Sequence, residues 1–185
     1  FMAERVSCFS SLNDKSWVFL SSLPHCGSKS NKKTNKDKFK NSIFKNANLS
    51  DANLDFSEFR GSDLSGANFK RASLKYAKCN AIQAKNVNFT EVLLHFSDFT
   101  NSVMDNSNFY KAYLWKTKFK GARLKNANFN ETGLGDVSFK AADLPGANFS
   151  KASLSKVDFE GANLEKTDFR GVKIFTSNFR HAKLE

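Results

Sequence analysis

Cysteine, histidine and proline are scarce in this sequence. Its 185 residues include three cysteines, three histidines and two prolines. The cysteines, Cys8, Cys26 and Cys79, provide neither a disulfide framework nor the spacing of a metal site. We therefore expect reduced thiols and a reducing compartment such as the cytoplasm or an organelle stroma. A Cys8–Cys26 disulfide is the alternative in an oxidising compartment.

Long apolar runs and catalytic motifs are also absent. No segment reaches the roughly 20 apolar residues that a membrane-spanning helix needs. The sequence has no phosphate-binding loop, no CxxC and no Ser, His and Asp arrangement typical of a hydrolase. Since catalysis requires acid, base or nucleophilic groups that converge, we expect a protein that is not an enzyme and that holds no metal and no cofactor.

Basic residues outnumber acidic residues in this chain. The chain has 29 Lys and Arg against 18 Asp and Glu, a formal net charge of +11. An excess of positive charge favours binding to nucleic acid, to an anionic membrane or to an acidic protein surface, and it does not distinguish among these partners.

Apolar residues recur at every fifth position from Phe39 to Leu184 without interruption. None of these thirty central positions is polar, and most hold Phe or Leu. A small residue lies two positions earlier, and Asn or Asp often directly precedes the central residue, as in Ala47-Asn48-Leu49. Side chains repeat their directions every 3.6 residues in helices and every 2 in strands. A period of five therefore predicts a chain that turns a corner every five residues.

This pattern closely resembles the A(D/N)LXX motif of the pentapeptide-repeat family, and the resemblance covers residues 37–185. It implies an all-β fold, a right-handed quadrilateral parallel β-helix with 20 residues per coil and about 7.5 coils. The central residue and the small residue would both point inwards. Before the repeats, we expect a non-repeat cap or docking segment at residues 1–27 and a basic polar linker at residues 28–36.

Sorting the central positions by a spacing of 20 residues gives two Phe-rich and two Leu-rich columns, so rings would line opposite walls of each coil. The Phe-rich columns are Phe69, Phe89, Phe109, Phe129, Phe149, Phe169 and Phe99, Phe119, Phe139, Phe159, Phe179. A further column holds only Asn from Asn48 to Asn148 and predicts stacked amides. Cys79 is a small central residue, and the nearby inward residue Ile82 is unusually large. We expect Ile82 to fill the space that Cys79 leaves in the core, and the Cys79 thiol to be buried and unreactive.

Charged residues twenty apart alternate in sign. Two such sets are Asp51-Arg71-Glu91-Lys111-Glu131-Lys151 and Lys85-Asp105-Lys125. The alternation predicts ion pairs between coils and a net field weaker than +11 suggests. It also disfavours DNA mimicry of the kind known in the family, in which acidic rods occupy the DNA groove of gyrase, a topoisomerase, because imitating phosphates needs sustained negative columns.

Aromatic side chains cluster at outward corner positions of neighbouring coils. Six of them form a group that we call the aromatic strip: Phe56, Tyr76, His95, Phe96, Tyr113 and Trp115. Clustered, exposed Trp and Tyr favour a contact site. The preferred interpretation is a non-catalytic interaction or scaffold protein. It would engage another protein or a larger assembly through this strip, the basic N-terminal arm or the uncapped C-terminal coil. The structural alternative is a self-stabilising ladder, or a shelf on which residues 1–27 lie.

Nucleic-acid binding is the second candidate function. The residues that would carry it are Lys29, Lys32, Lys33 and Lys36 of the linker, with Lys116, Lys118, Lys120 and Arg123 of the Lys-rich stretch 111–125. Basic groups interleaved with aromatic rings are typical of surfaces that bind single strands.

The repeats continue to Glu185 with no capping helix after them. A solenoid needs polar ends, because an end coil exposes backbone groups and an apolar cross-section. We therefore expect that either the chain is truncated, or the last coil docks onto a partner or onto a second copy in an end-to-end homodimer.

Overall fold

The structure, a computed structural model, describes residues 39–185 and two short strands near the N terminus, Ser11–Leu12 (β1) and Ser16–Trp17 (β2). These strands pair antiparallel, with Ser11 opposite Trp17 and Leu12 opposite Ser16. Residues 39–185 contain no helix. Several predictions concern residues outside the described ones: most of the segment 1–27 with Cys8 and Cys26, and the linker 28–36 with Lys29, Lys32, Lys33 and Lys36.

A left-handed backbone conformation marks every corner of the chain. Each fifth residue from Asn41 to His181 has a φ between 51° and 71°. Glycine and asparagine adopt this conformation most readily, and they recur at these corners. Many corners are closed by a hydrogen bond from an N–H to the carbonyl three residues earlier, as from Ala67 to Leu64 at 2.9 Å. The five-residue period of the sequence is therefore the spacing of the corners.

Parallel pairing between residues twenty apart builds the coils. It runs from Ile43 opposite Asp63 to Asn163 opposite Lys183. On one side the bridges widen into a three-stranded parallel sheet of Gly133–Gly135 (β3), Ser153–Ser155 (β4) and Lys173–Phe175 (β5), in the order β3-β4-β5. Four corners in each twenty residues make a four-sided parallel β-helix, and the predicted coil length is confirmed.

Two stacks of phenylalanine rings fill the core. Phe109 and Phe129 stack at 4.7 Å with 3° between their planes, and Phe119 and Phe139 do so at 5.1 Å and 6°. The stacks meet edge to face, as between Phe109 and Phe119 at 5.7 Å and 80°. Both are favoured arrangements of aromatic rings. The predicted Phe columns on opposite walls are confirmed.

The buried Cys79 shows how the core adjusts to a small central residue. Cys79 and Ile82 are both fully buried. From the next coil, the Ser102 hydroxyl donates to the Cys79 carbonyl at 2.8 Å and accepts from the Ile82 N–H at 3.3 Å. This hydroxyl takes the place of the hydrogen bond that closes other corners. Burial, with a smaller effect of Asp98, raises the pKa of the Cys79 thiol, so the predicted buried and unreactive thiol agrees with the structure.

The asparagine column forms hydrogen bonds between coils. Asn68 donates to Asn48 at 3.3 Å, and Asn88 donates to Asn68 at 3.0 Å. The ladder is interrupted at Asn108, which donates instead to the Thr90 hydroxyl at 3.1 Å. Each Asn in this column also accepts the N–H two residues later, as in an Asx turn. The recurrent Asn therefore stabilises both its own corner and the stacking of coils.

Ion pairs between coils follow two spacings. Five join residues twenty apart, as predicted: Asp51–Arg71, Glu58–Lys78, Lys111–Glu131, Lys116–Asp136 and Lys140–Glu160. Four join residues eighteen apart: Lys40–Glu58, Lys45–Asp63, Asp105–Arg123 and Glu165–Lys183.

Two details of the predicted charge alternation are wrong. Asp105 pairs with Arg123 and not with Lys85 or Lys125, because a face position in the next coil lies within reach of a corner side chain. Within residues 39–185, Glu91 makes no ion pair, so the set that begins at Asp51 is broken there.

Candidate functional site

Three rings of the aromatic strip stack along one corner of the β-helix. Phe56 and Tyr76 lie 4.9 Å apart with 2° between their planes, and Tyr76 and Phe96 lie 4.7 Å apart with 4°. All three residues hold the left-handed corner conformation, with φ of 65°, 58° and 60°. Because the same corner repeats in each coil, their side chains project outwards in register. Their neighbours in the stack cover both faces of the Tyr76 ring, which leaves its edge and hydroxyl to solvent.

Trp115 ends the stack. Its indole lies 4.9 Å from the Phe96 ring at 76°, an edge-to-face contact. It also lies against Gly135 of the following coil, where an added Cβ atom would come within 2.8 Å of the indole Cδ1. A Cβ atom at Gly133, two residues earlier, would meet nothing within 4 Å. The absence of a side chain at residue 135 therefore fixes where the indole rests.

Lys116 places a positive charge over this end of the strip. Its Nζ lies 4.9 Å from the centroid of the Trp115 ring and 5.6 Å from that of Phe96, within cation–π range. The same ammonium lies 3.9 Å from a carboxylate oxygen of Asp136. Lys116 is thus held by two rings and a carboxylate.

His95 lies beneath Trp115, with their rings 6.5 Å apart at 74°. Its Nδ1 is buried and has no hydrogen-bond partner. Desolvation, followed by the charge of Lys75, lowers the pKa of His95, and Asp55 opposes this shift. A neutral, partly buried imidazole supports the indole and presents little surface, so His95 belongs to the base of the strip.

The strip holds the exposed apolar surface of the middle coils. Between residues 44 and 173, the large hydrophobic side chains that are exposed are those of Phe56 and Tyr76, at 46% each, and Tyr113 and Trp115, at 55% and 46%. The others lie near the ends of the described coils: Ile43, Ile174, Phe175 and Leu184. The expected end-to-end homodimer stays a prediction.

The predicted basic residues of the stretch 111–125 lie on two sides of the coil, with Lys116, Lys118 and Lys120 between the corners at residues 116 and 121. Lys116 contacts Asp136, and Arg123 pairs with Asp105. The corner at Gly121 places Arg123 on the next side of the coil. Lys118 and Lys120 make no ion pair within residues 39–185. The structure therefore brings the aromatic strip together more closely than it does the basic residues.

The repeated corner, the coil of twenty residues and the stacked core define a β-helical solenoid. A family model described as a pentapeptide repeat region matches residues 92–169 and 112–185. A second, described as pentapeptide repeats in eight copies, matches residues 38–71, 52–91 and 67–106. The chain belongs to the pentapeptide-repeat family, and its fold is the right-handed β-helix of that family.

Solved structures of the family resemble this chain. QnrB1, a plasmid-mediated fluoroquinolone resistance protein, is 23% identical, with a TM-score of 0.53 over 80% of this chain and 82% of that one. HetL from the cyanobacterium Nostoc, which is involved in heterocyst differentiation regulation, is 18% identical, with a TM-score of 0.39 over 80% and 86%. A protein of the Arabidopsis thaliana thylakoid lumen is 34% identical, with a TM-score of 0.45 over 46% and 59%. The likeness to QnrB1 supports the fold alone.

No curated protein matches the sequence. Among the residues that the structure describes, no helix is long and apolar enough to cross a membrane. The same residues contain no group of three or more His, Cys, Asp or Glu side chains placed to hold a metal ion.

Proposed function

We propose that this chain is a non-catalytic interaction module, a β-helical rod that binds another protein through the aromatic strip. The observation that carries the proposal is the concentration of exposed apolar surface: Phe56, Tyr76 and Trp115 lie along one run of ring contacts, Tyr113 lies two residues before Trp115, and residues 44–173 expose no other large hydrophobic side chain. Clustered aromatic residues of this kind supply most of the binding energy at protein interfaces.

The backbone at the strip supports the same proposal. A corner requires a left-handed φ, which costs roughly 1–2 kcal/mol for most residues and less for Gly or Asn. Phe56, Tyr76 and Phe96 occupy the same corner in three successive coils, in that conformation. Farther along the same corner, polar Lys116, Asp136 and Lys156 take their place. Stacking offsets part of this cost, since each aromatic pair contributes about 0.5–1.5 kcal/mol.

Stacking also favours a protein over a nucleic acid as the partner. A single strand binds by placing its bases on free aromatic faces. Within the strip, Phe56 and Phe96 cover the two faces of Tyr76, and Tyr76 and Trp115 flank Phe96. The accessible part of the Tyr76 ring is therefore its edge, which apolar side chains of a protein contact readily. Charged residues in neighbouring coils alternate in sign and form ion pairs, so the surface lacks the sustained negative charge that DNA mimicry needs.

The proposal is tested by affinity capture from an extract of the source cells, with quantitative mass spectrometry. The wild-type chain is compared with Tyr76→Asn/Trp115→Ser. The matched control is Lys156→Asn/Thr176→Asn, which alters the same corner two and three coils beyond the strip. We expect a set of proteins that the wild type and the control retain and that the strip variant loses.

Equal capture by all three proteins would contradict the proposal and favour a purely structural role for the strip. Nuclease treatment of the extract separates the second candidate function: a partner that is bound through nucleic acid is lost from the wild type after digestion. Circular dichroism of each variant establishes that the β-helix is retained before the captures are compared.

A further inference from the structure

We infer that the partner segment bound by the aromatic strip is short and acidic, with carboxylates beside aromatic or aliphatic side chains. This inference rests on the proposed function and names the chemistry of the partner. It comes from the state of particular charges around the strip: Asp55, Glu58, Asp98 and Asp136 have partners within the β-helix, whereas Lys75 and Lys118 make no ion pair with a described residue.

The carboxylates near the strip already have partners. Asp55 accepts hydrogen bonds from the Ser73 hydroxyl at 2.6 Å and from the Lys75 N–H at 2.9 Å. Glu58 is buried between Lys40 and Lys78, at 3.2 and 3.3 Å. Both have little capacity left for a basic partner.

Two further carboxylates near the strip also have partners, Asp98 through hydrogen bonds and Asp136 through a longer contact that leaves its side chain 53% exposed. Asp98 accepts from the Thr100 N–H at 2.9 Å and from its hydroxyl at 2.6 Å. Asp136 lies 3.9 Å from Lys116. A basic segment laid on the strip would have to displace these contacts, which would cost the hydrogen bonds that hold the corners.

The cations on either side of the strip are available. Lys75 directly precedes Tyr76, and Lys118 follows Lys116 on the next side of the coil. Neither makes an ion pair with any described residue of the chain. The charge of Lys75 contributes to the lowered pKa of His95, so its field reaches the base of the strip. The charge of Lys118 also acts on Asp98, whose pKa it helps to lower. A cation without an ion pair on each flank complements a partner that brings carboxylates.

The dimensions of the strip fit a short segment. Adjacent coils lie about 4.8 Å apart, so the three steps from Phe56 to Trp115 span about 14 Å along the rod. An extended chain rises about 3.3 Å per residue, and about five residues cover that length. Alternate side chains of such a segment would face the ring edges, and the others would be free to reach Lys75 and Lys118.

A random library of displayed 12-residue peptides, selected on the immobilised wild-type chain, tests this inference. Enriched peptides are synthesised, and their affinities are measured by fluorescence anisotropy. We expect them to carry net negative charge together with Phe, Tyr, Trp or Leu. Binding should weaken at least tenfold in Lys75→Glu/Lys118→Glu.

The control is Lys125→Glu/Lys166→Glu, which makes the same charge change at the diagonally opposite corner, where both lysines are exposed and make no ion pair among the described residues. We expect less than a twofold loss of affinity in this control. Equal losses in the two variants would overturn the inference, because the attraction would then come from net charge alone.

The remaining outcomes separate the partner chemistry from the proposed function. Neutral or basic peptides that still require Tyr76 and Trp115 would overturn the acidic partner and leave the interaction function standing. Peptides that bind equally well to Tyr76→Asn/Trp115→Ser would contradict the inference at this surface. Failure to enrich any peptide would also overturn it, and the affinity capture would then decide the proposed function independently.

Discussion

Trp115 rests against Gly135, the residue twenty positions later in the chain, so closely that a Cβ atom at residue 135 would stand 2.8 Å from the indole Cδ1. The coil geometry brings the two residues together, and the missing side chain lets the indole settle there. Gly133 occupies the adjacent outward position of the same strand, where a Cβ atom would meet nothing within 4 Å. The two glycines are therefore a matched pair for testing the strip.

Gly135→Ala should displace the indole of Trp115 while the β-helix stays folded, because the contact is with a side chain that can rotate away. In a Trp17→Phe background, which leaves Trp115 as the reporter, we expect a shifted emission maximum and faster quenching by iodide. Gly133→Ala should leave both unchanged. Identical spectra for the two variants would contradict the packing of Trp115 on Gly135.

Phe129→Ala should be severely destabilising. The Phe129 ring is fully buried and stacks on Phe109 and Phe149 at 4.7 Å each. Truncation of such a residue leaves a cavity and typically costs about 3–5 kcal/mol. Urea unfolding followed by circular dichroism measures the change, and a loss below about 1 kcal/mol would argue against the stacked core.

Tyr76→Asn should be far milder, although it removes two ring stacks. Each stack contributes about 0.5–1.5 kcal/mol, and part of that is recovered because Asn tolerates the left-handed corner better than Tyr. We expect a net loss of at most about 2 kcal/mol in the same urea experiment. A loss as large as that of Phe129→Ala would favour a structural ladder over a binding surface.

Acid should destabilise the β-helix. Hydrogen bonds from Lys40 and Lys78 lower the pKa of Glu58, a hydrogen bond from Lys183 lowers that of Glu165, and hydrogen bonds from Arg170 lower that of Asp168 to about 2. A carboxyl whose pKa is lower in the folded state than in the unfolded state stabilises the fold above its unfolded pKa. That stabilisation is lost as the pH falls through the folded pKa.

The urea midpoint should therefore be level from pH 8 to about pH 6, and should fall progressively from about pH 4.5 to pH 2. Glu58→Gln should make this fall shallower, because it removes one of the carboxyls whose pKa the fold lowers. Added salt should also make it shallower, since these pairs are partly exposed. A midpoint that rises on acidification would contradict the assigned ion pairs.

The five-residue period predicted most of the fold, because a regular corner leaves little freedom to the chain between corners. Spacing by twenty then predicted the Phe109–Phe129 stack and the Asp51–Arg71 pair, which are contacts between coils. It missed the ion pair of Asp105 with Arg123, because a long side chain at one coil reaches diagonally to a position eighteen residues away. The twenty-residue spacing determines which backbone positions are neighbours, but it does not determine the directions of long side chains.

The site was predicted in part for the same reason. The spacing placed Phe56, Tyr76 and Phe96 in one column, and their stacking follows from it. It also placed His95 and Trp115 in one column, but it gave no indication that Lys116 would lie over the indole. That contact depends on rotamers and on the missing side chain at Gly135. A glycine at residue 135, twenty positions after Trp115, is the sequence signal that could have predicted where the indole packs.

Proton–proton cross-peaks between aromatic rings test the register most directly. Selective aromatic protonation in an otherwise deuterated chain allows nuclear Overhauser effects to be assigned ring by ring. With ring centroids 4.9 and 4.7 Å apart, strong cross-peaks are expected from Tyr76 to Phe56 and from Tyr76 to Phe96, and none between Phe56 and Phe96. A Tyr76 ring that shows neither contact would contradict the twenty-residue coil, and the aromatic strip would no longer exist as a surface.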